Sequence, residues 1–176
     1  LVEADEVAKI VADYVRKYPK LSLGVVAFSH AQETAIQDAI DSLWTNDPTL
    51  PRDMFSSDRL DGFFVKNLET VQGDERDVII LSVGYGKDEN GKLHMNFGPI
   101  NRAGGYRRLN VAVTRARKRL ELVSSIRAGD LTLDAENEKA GGNEGVRHLK
   151  RYLDYAENGP KALAFDNADG GGDVES

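Results

Sequence analysis

Two short apolar runs set the terms for any fold: LSLGVVAF at 21–28 and VIILSV at 78–83. Both have strand length and β-branched residues, and both are apolar at successive rather than alternate positions. That is the pattern of strands buried on both faces of a parallel sheet. Parallel neighbours need long crossovers, which helical patterns supply. Val7, Ile10, Val11, Tyr14 and Tyr18 predict a helix over 3–18 ended by Pro19. Ile36, Ala39, Ile40, Leu43 and Trp44 predict a second helix over 31–45. GFFVK at 62–66 and LELVS at 120–124 read as further strands. Leu109, Val113 and Ala116 predict a helix after Gly104-Gly105, and Val146, Leu149, Leu153 and Ala156 predict a last one closed by Gly159-Pro160. Strands alternating with helices imply an α/β fold, with helices on both faces of a mostly parallel central sheet.

The remaining segments read as connections. Residues 46–60 hold two prolines and several turn formers, and Asn90-Gly91 marks a hairpin inside an excursion over 84–101. Residues 127–145 are rich in Gly, Asp and Glu and read as loop, and the tail DNADGGGDVES has nothing to bury and is expected to be mobile. Ligands of open α/β sheets sit at the carboxyl ends of strands, so 67–77 and 107–117 are expected to converge on one sheet edge.

Composition excludes several function classes. No apolar stretch is long enough to span a membrane, and residue 1 opens into a charged helical pattern without a signal core. The absence of cysteine removes a disulfide scaffold, a thiolate metal site and a cysteine nucleophile, and suits the cytoplasm. His30, His94 and His148 have no metal-ligand spacing, so no metal site is expected. Net charge is −6, yet RAGGYRRLNVAVTRARKR at 102–119 carries seven basic residues and no acid. A positive segment in an acidic body implies a local anion site, such as one for phosphate, or a solvated helix face.

GKDENGKL at 86–93 imitates a phosphate-binding loop, but Leu93 stands where a hydroxyl must hold magnesium and no helix follows. A hairpin is the better reading. The basic segment is more informative. On one continuous helix, Arg108 and Arg115 would lie almost in line while Leu109, Val113 and Ala116 faced the core. Guanidinium forks in such a line can grip phosphate oxygens, or can simply pair with the acidic body. In VQGDERDVIILS at 71–82, Gly73 permits close backbone approach and Glu75 can accept from a ribose or orient an arginine.

Gln72-Gly73-Asp74-Glu75-Arg76-Asp77 with VIILS, followed by RLNVAVTRAR from Arg108 to Arg117, resembles motifs V and VI of superfamily 1 helicases. The resemblance is to the superfamily 1B branch of the nonsense-decay type. LGVVAFSHAQ at 23–32 resembles motif IV with Gln32 at the family glutamine, and Glu3-Ala4 resembles the opening of the domain. The likeness spans about residues 1–126; NFGPINRAGG, SSIRAGDLTLD and VRHLKRYLDYA resemble segments of large bacterial multidomain helicases.

The resemblance implies a RecA-like second motor domain over 1–126, an extension over 127–164 with the final helix, and a tail over 165–176. It implies Arg115 as a catalytic arginine finger, with Gln72, Gly73, Glu75 and Arg108 at the nucleotide. Ser29, Asn67 and Glu69 would meet a single-stranded nucleic acid, DNA rather than RNA. ATP and magnesium would be held mainly by a first RecA-like domain of the same parent chain, with a nuclease-like domain often following downstream. Neither the phosphate loop nor the metal-holding carboxylates occur here, so this chain alone should not hydrolyse ATP. The alternatives are a non-catalytic α/β interaction module with a basic docking helix, and a small Rossmann-type nucleotide enzyme. The latter lacks its strand-G-x-G-x-x-G-helix unit.

Overall fold

Four strands form one parallel sheet. In the computed structural model, which describes residues 2–55, 61–133 and 144–159, they are β1 (Leu23–Ala27), β2 (Phe64–Asn67), β3 (Arg76–Ser82) and β4 (Ala116–Val123). Their spatial order is β2-β1-β3-β4, and every neighbouring pair is parallel. The helices are α1 (Val2–Lys17), α2 (His30–Asn46), α3 (Gly105–Val113) and α4 (Glu144–Asn158). The expected tail over 165–176, and parts of the two expected loops (56–60 and 134–143), lie outside the described residues.

Side-chain alternation along the central strands creates two cores. Val25, Ala27, Val78 and Ile80 pack with Val7 and Val11 of α1 and Ile36 and Ile40 of α2. Val26, Ile79 and Leu81 point the other way, toward Leu109 and Ala112 of α3 and Val146, Leu149 and Leu153 of α4. Because β1 and β3 are covered on both sides, their sequences are continuously apolar. The three-layer α/β arrangement expected from the sequence is therefore present. The 84–101 excursion also contains the expected turn: Lys87 and Leu93 form an antiparallel bridge, and the Asp88 carboxylate accepts from the Asn90 and Lys92 amides.

Two expectations fail in one place. The helix carrying the basic motif stops at Val113, with Thr114 as its C-cap, and β4 begins at Ala116 rather than at 120. Ala116 is thus a strand residue, and Arg108 and Arg115 do not share a helix face. Val111, Val113 and Thr114 are β-branched and weak helix formers. The sheet then claims the chain, since the Arg76 amide donates to the Arg115 carbonyl at 3.0 Å. Ala156, expected on the buried stripe of α4, is exposed.

Buried polar groups tie helices to strand ends. Glu3 is 7% exposed, and its carboxylate accepts from Ser82 Oγ and the Gly84 amide, both at 2.7 Å, and from the Ser125 amide and hydroxyl. Gln32 donates to the same Ser82 oxygen. At the opposite edge Asp77 accepts from the Ser22 amide at 3.1 Å and faces Lys118 Nζ at 3.1 Å. The Ser22 hydrogen bond first, and then Lys118, hold the Asp77 pKa below its ordinary value.

A depressed carboxyl contributes stability above its unfolded pKa and loses that contribution as pH falls through the folded value. Unfolding free energy should therefore fall as pH drops from about 5 toward 3. Asp77→Asn should reduce this slope without abolishing it, because Asp47, Asp88 and Asp130 are also depressed. Urea titrations at several pH values read the slope, and an unchanged slope in the variant would contradict the assignment.

Candidate functional site

The segments 72–75 and 114–117 converge, but at the amino edge of the sheet rather than at its carboxyl edge. The first ends just before β3 and the second runs from Thr114 into the start of β4, so the register that pairs Arg76 with Ala116 sets Glu75 beside Arg115. The carboxyl-edge expectation concerns loops that follow strands, and these two segments do not.

Arg115 is held at one end and open at the other. Its Nε donates at 3.1 Å to the Val111 carbonyl, which also accepts from the Thr114 hydroxyl at 3.0 Å, at the C-terminus of α3 where a cation is favoured. Nη2 reaches Thr114 Oγ1 at 3.4 Å. Nη1 has no hydrogen-bond acceptor among the described residues; its near neighbour is Glu75 Oε1 at 3.8 Å. Glu75 Oε2 in turn lies 3.6 Å from Arg117 Nε. The side chains are 21% (Arg115), 48% (Glu75) and 53% (Arg117) exposed. Ion pairs this long and this wet are worth only about 0.2–1 kcal/mol, so a stronger anion can displace the carboxylate. The donor set suits a phosphate: two guanidinium groups stand beside one exchangeable carboxylate.

Gln72 and Gly73 are exposed in the same turn, and Gly73 has φ +88° with open space around it. Arg108 is directed elsewhere, donating to the Ala103 carbonyl at 3.2 Å and, at 3.5 Å, to that of Pro99. It braces the segment leading into α3. Arg117 has no separate role in the sequence reading, although it lies within the quoted motif. Arg76 is a second omission. It is 8% exposed, donates to the Gly62 and Glu75 carbonyls, and lies 4.8 Å over the Phe64 ring. This guanidinium fixes the backbone of the turn that carries Glu75. The apolar residue at position 64 is its only sequence signal, and it is a weak one.

Ser29, Asn67 and Glu69 gather at the opposite, carboxyl edge, where Ala27 pairs with Asn67. Ser29 caps α2 by accepting from the Gln32 amide. Asn67 donates to Glu33 at 2.7 Å and accepts from the Glu69 amide at 2.8 Å. Glu69 meets Arg102 at 3.3 Å. This edge presents amides and carboxylates more than cations. Among the described residues no helix is long and apolar enough to cross a membrane, and no cluster of His, Asp and Glu could hold a metal ion.

Comparison with known proteins places this geometry in a family. A family model described as an AAA domain matches residues 1–127. An uncharacterized ATP-dependent helicase MG140 homolog of Mycoplasma pneumoniae is 42% identical over 139 residues, covering 77% of this chain and 11% of that protein. The uncharacterized ATP-dependent helicase MG140 of Mycoplasma genitalium is 40% identical over 141 residues, covering 78% and 12%. The chain thus spans about one-ninth of the length of these relatives. A solved structure, the C-terminal domain of a possible DNA helicase from Lactobacillus plantarum, aligns over 69% of this chain and 66% of its own at 20% identity, with a TM-score of 0.42. With the family model matched across both sheet edges, from α1 through β4, the chain belongs to the AAA domain family.

Proposed function

We propose that this chain is the second motor domain of an ATP-dependent nucleic-acid helicase of the superfamily 1B branch, part of a large bacterial multidomain protein that acts in the cytoplasm. The observation that carries the reading is the Arg115 guanidinium, anchored through Nε and open at Nη1 beside Glu75. Residues 1–126 form the motor core, and 127–164 are an extension of it. ATP with magnesium, held mainly by a first RecA-like domain, supplies the phosphoryl group to be transferred.

Toward that group Arg115 presents its free N–H donors as a finger, stabilising charge that develops on the phosphate oxygens. Arg117 retains Glu75 while Arg115 changes partners. Gln72, Gly73 and Glu75 shape the wall of the cleft, and Arg108 secures the segment before α3. Because the finger belongs to a different domain from the phosphate loop, hydrolysis requires cleft closure. Ser29, Asn67 and Glu69 lie on the far edge, so a single strand crossing there is gripped or released as the cleft moves. DNA is the favoured strand, and a nuclease-like domain downstream is the favoured neighbour.

The parent protein should hydrolyse ATP faster when single-stranded DNA is added, and the isolated 176-residue chain should not turn ATP over. Phosphate release assays on both read this directly. Turnover by the isolated chain, or a parent rate indifferent to single strands, would contradict the reading.

A further inference from the structure

A stacked aromatic pair stands apart from the residues assigned above. Tyr106 of α3 and His148 of α4 are half-buried, with ring centroids 5.4 Å apart and planes 23° from parallel. The exposed Arg107 donates from Nε to the Tyr106 hydroxyl at 2.9 Å, with its Cζ 5.5 Å from the ring centroid. Two glycines fix the pair. A Cβ on Gly105 would stand 2.0 Å from the Ile100 carbonyl oxygen, and one on Gly145 would stand 2.1 Å from the same atom. Only glycine lets both helices begin against that oxygen. Their first turns are thereby locked together, with Tyr106 one residue and His148 three residues beyond the contacts. The pair is therefore preorganised by backbone packing, unlike two surface rings that meet by chance.

Its position and charge indicate what it receives. α3 precedes a strand that starts at the amino edge, so its N-terminus lies toward the carboxyl edge. There Arg102, four residues before Tyr106 and 67% exposed, meets Glu69 next to Asn67. Residues 102–108 hold three arginines and no acid. Among the described residues, acids act on this group from Glu69, at Arg102, and from Glu144, through space on Arg107. Rings that are half-buried, rigid and flanked by guanidinium groups match an unstacked nucleobase with its phosphate: the ring faces take the base and Arg102 and Arg107 take the backbone.

We infer that Tyr106 and His148, flanked by Arg102 and Arg107, form a base-stacking platform that extends the single-strand surface from the carboxyl edge onto α3 and α4. This rests on the helicase reading above.

The test uses the full-length parent protein and two labelled probes, a thymidine oligonucleotide and an abasic strand of equal length, with affinity read by anisotropy. Tyr106→Ala and His148→Ala should each weaken binding of the thymidine strand about tenfold while leaving the abasic strand unchanged. Tyr106→Phe and His148→Phe keep a ring and should retain most of the affinity, which separates stacking from misfolding. Equal loss on both strands, or no loss on either, would overturn the platform. If Asn67→Ala weakens binding and the ring variants do not, the platform alone fails. If the wild-type parent binds neither strand, the platform and the helicase reading fail together.

Discussion

Replacing Arg115 with alanine in the parent protein should lower ATP turnover by about 10³–10⁵ while ATP binding changes only a few-fold. The size follows from where the guanidinium acts. Phosphoryl transfer leaves the protein little covalent work, so positioning and charge stabilisation carry the rate. Among the described residues the Arg115 side chain makes only a carbonyl bond, a long hydroxyl contact and a 3.8 Å ion pair, so its removal should leave folding almost unchanged. Arg115→Lys should not restore the rate, because an ammonium lacks the planar fork that is anchored through Nε while Nη1 stays free. Turnover within tenfold of wild type in the alanine variant would remove Arg115 from catalysis.

The largest stability effect is expected at Glu3. Its carboxylate serves four donors, from Ser82, Gly84 and Ser125. Of these only Ser82 is fully buried, and a buried donor left without an acceptor costs about 1–3 kcal/mol, whereas the half-buried Gly84 amide and the exposed Ser125 can turn to water. Glu3→Ala should therefore lower the unfolding free energy by about 1–3 kcal/mol. Glu3→Gln should lie between the two, since its amide oxygen still accepts while its NH2 opposes a former donor. Urea titration of the 176-residue chain measures both. A Glu3→Ala variant within about 0.5 kcal/mol of wild type would mean that water replaces the carboxylate without cost.

The sheet was legible because burial on both faces leaves a mark that short chains cannot hide. VIILSV and LGVVAF are apolar without alternation, and the structure covers both sides of β3 and β1. α1 and α2 were legible within one or two residues, since each buries a stripe at helical spacing. The helix-to-strand change at 113–116 was not. RLNVAVTRARKR sustains helical spacing through Ala116, and its β-branched residues alone do not mark the stop; the ladder to β3, a contact with residues 40 positions away, ends the helix early.

The same limit applies to the candidate site. The resemblance to motifs V and VI brought Glu75 and Arg115 together, yet the sheet edge they occupy follows from β3 and β4 starting directly after them. Arg76 left only the weak signal of an apolar residue at position 64, and the Tyr106–His148 pair left none. Their partners are a carbonyl at Gly62, a ring at Phe64 and a ring 42 residues downstream of Tyr106, too far along the chain for a periodic pattern to mark them.

A guanidinium that acts only as charge develops should recognise the transition state and hardly notice the ground state. The direct measurement is binding of ADP with aluminium fluoride, a mimic of the transferring phosphoryl group, to the parent protein with and without Arg115. With the wild type the complex should be trapped tightly; with Arg115→Ala trapping should be lost while plain ADP binds as before. Equal trapping of the mimic by both proteins would contradict an arginine finger at position 115.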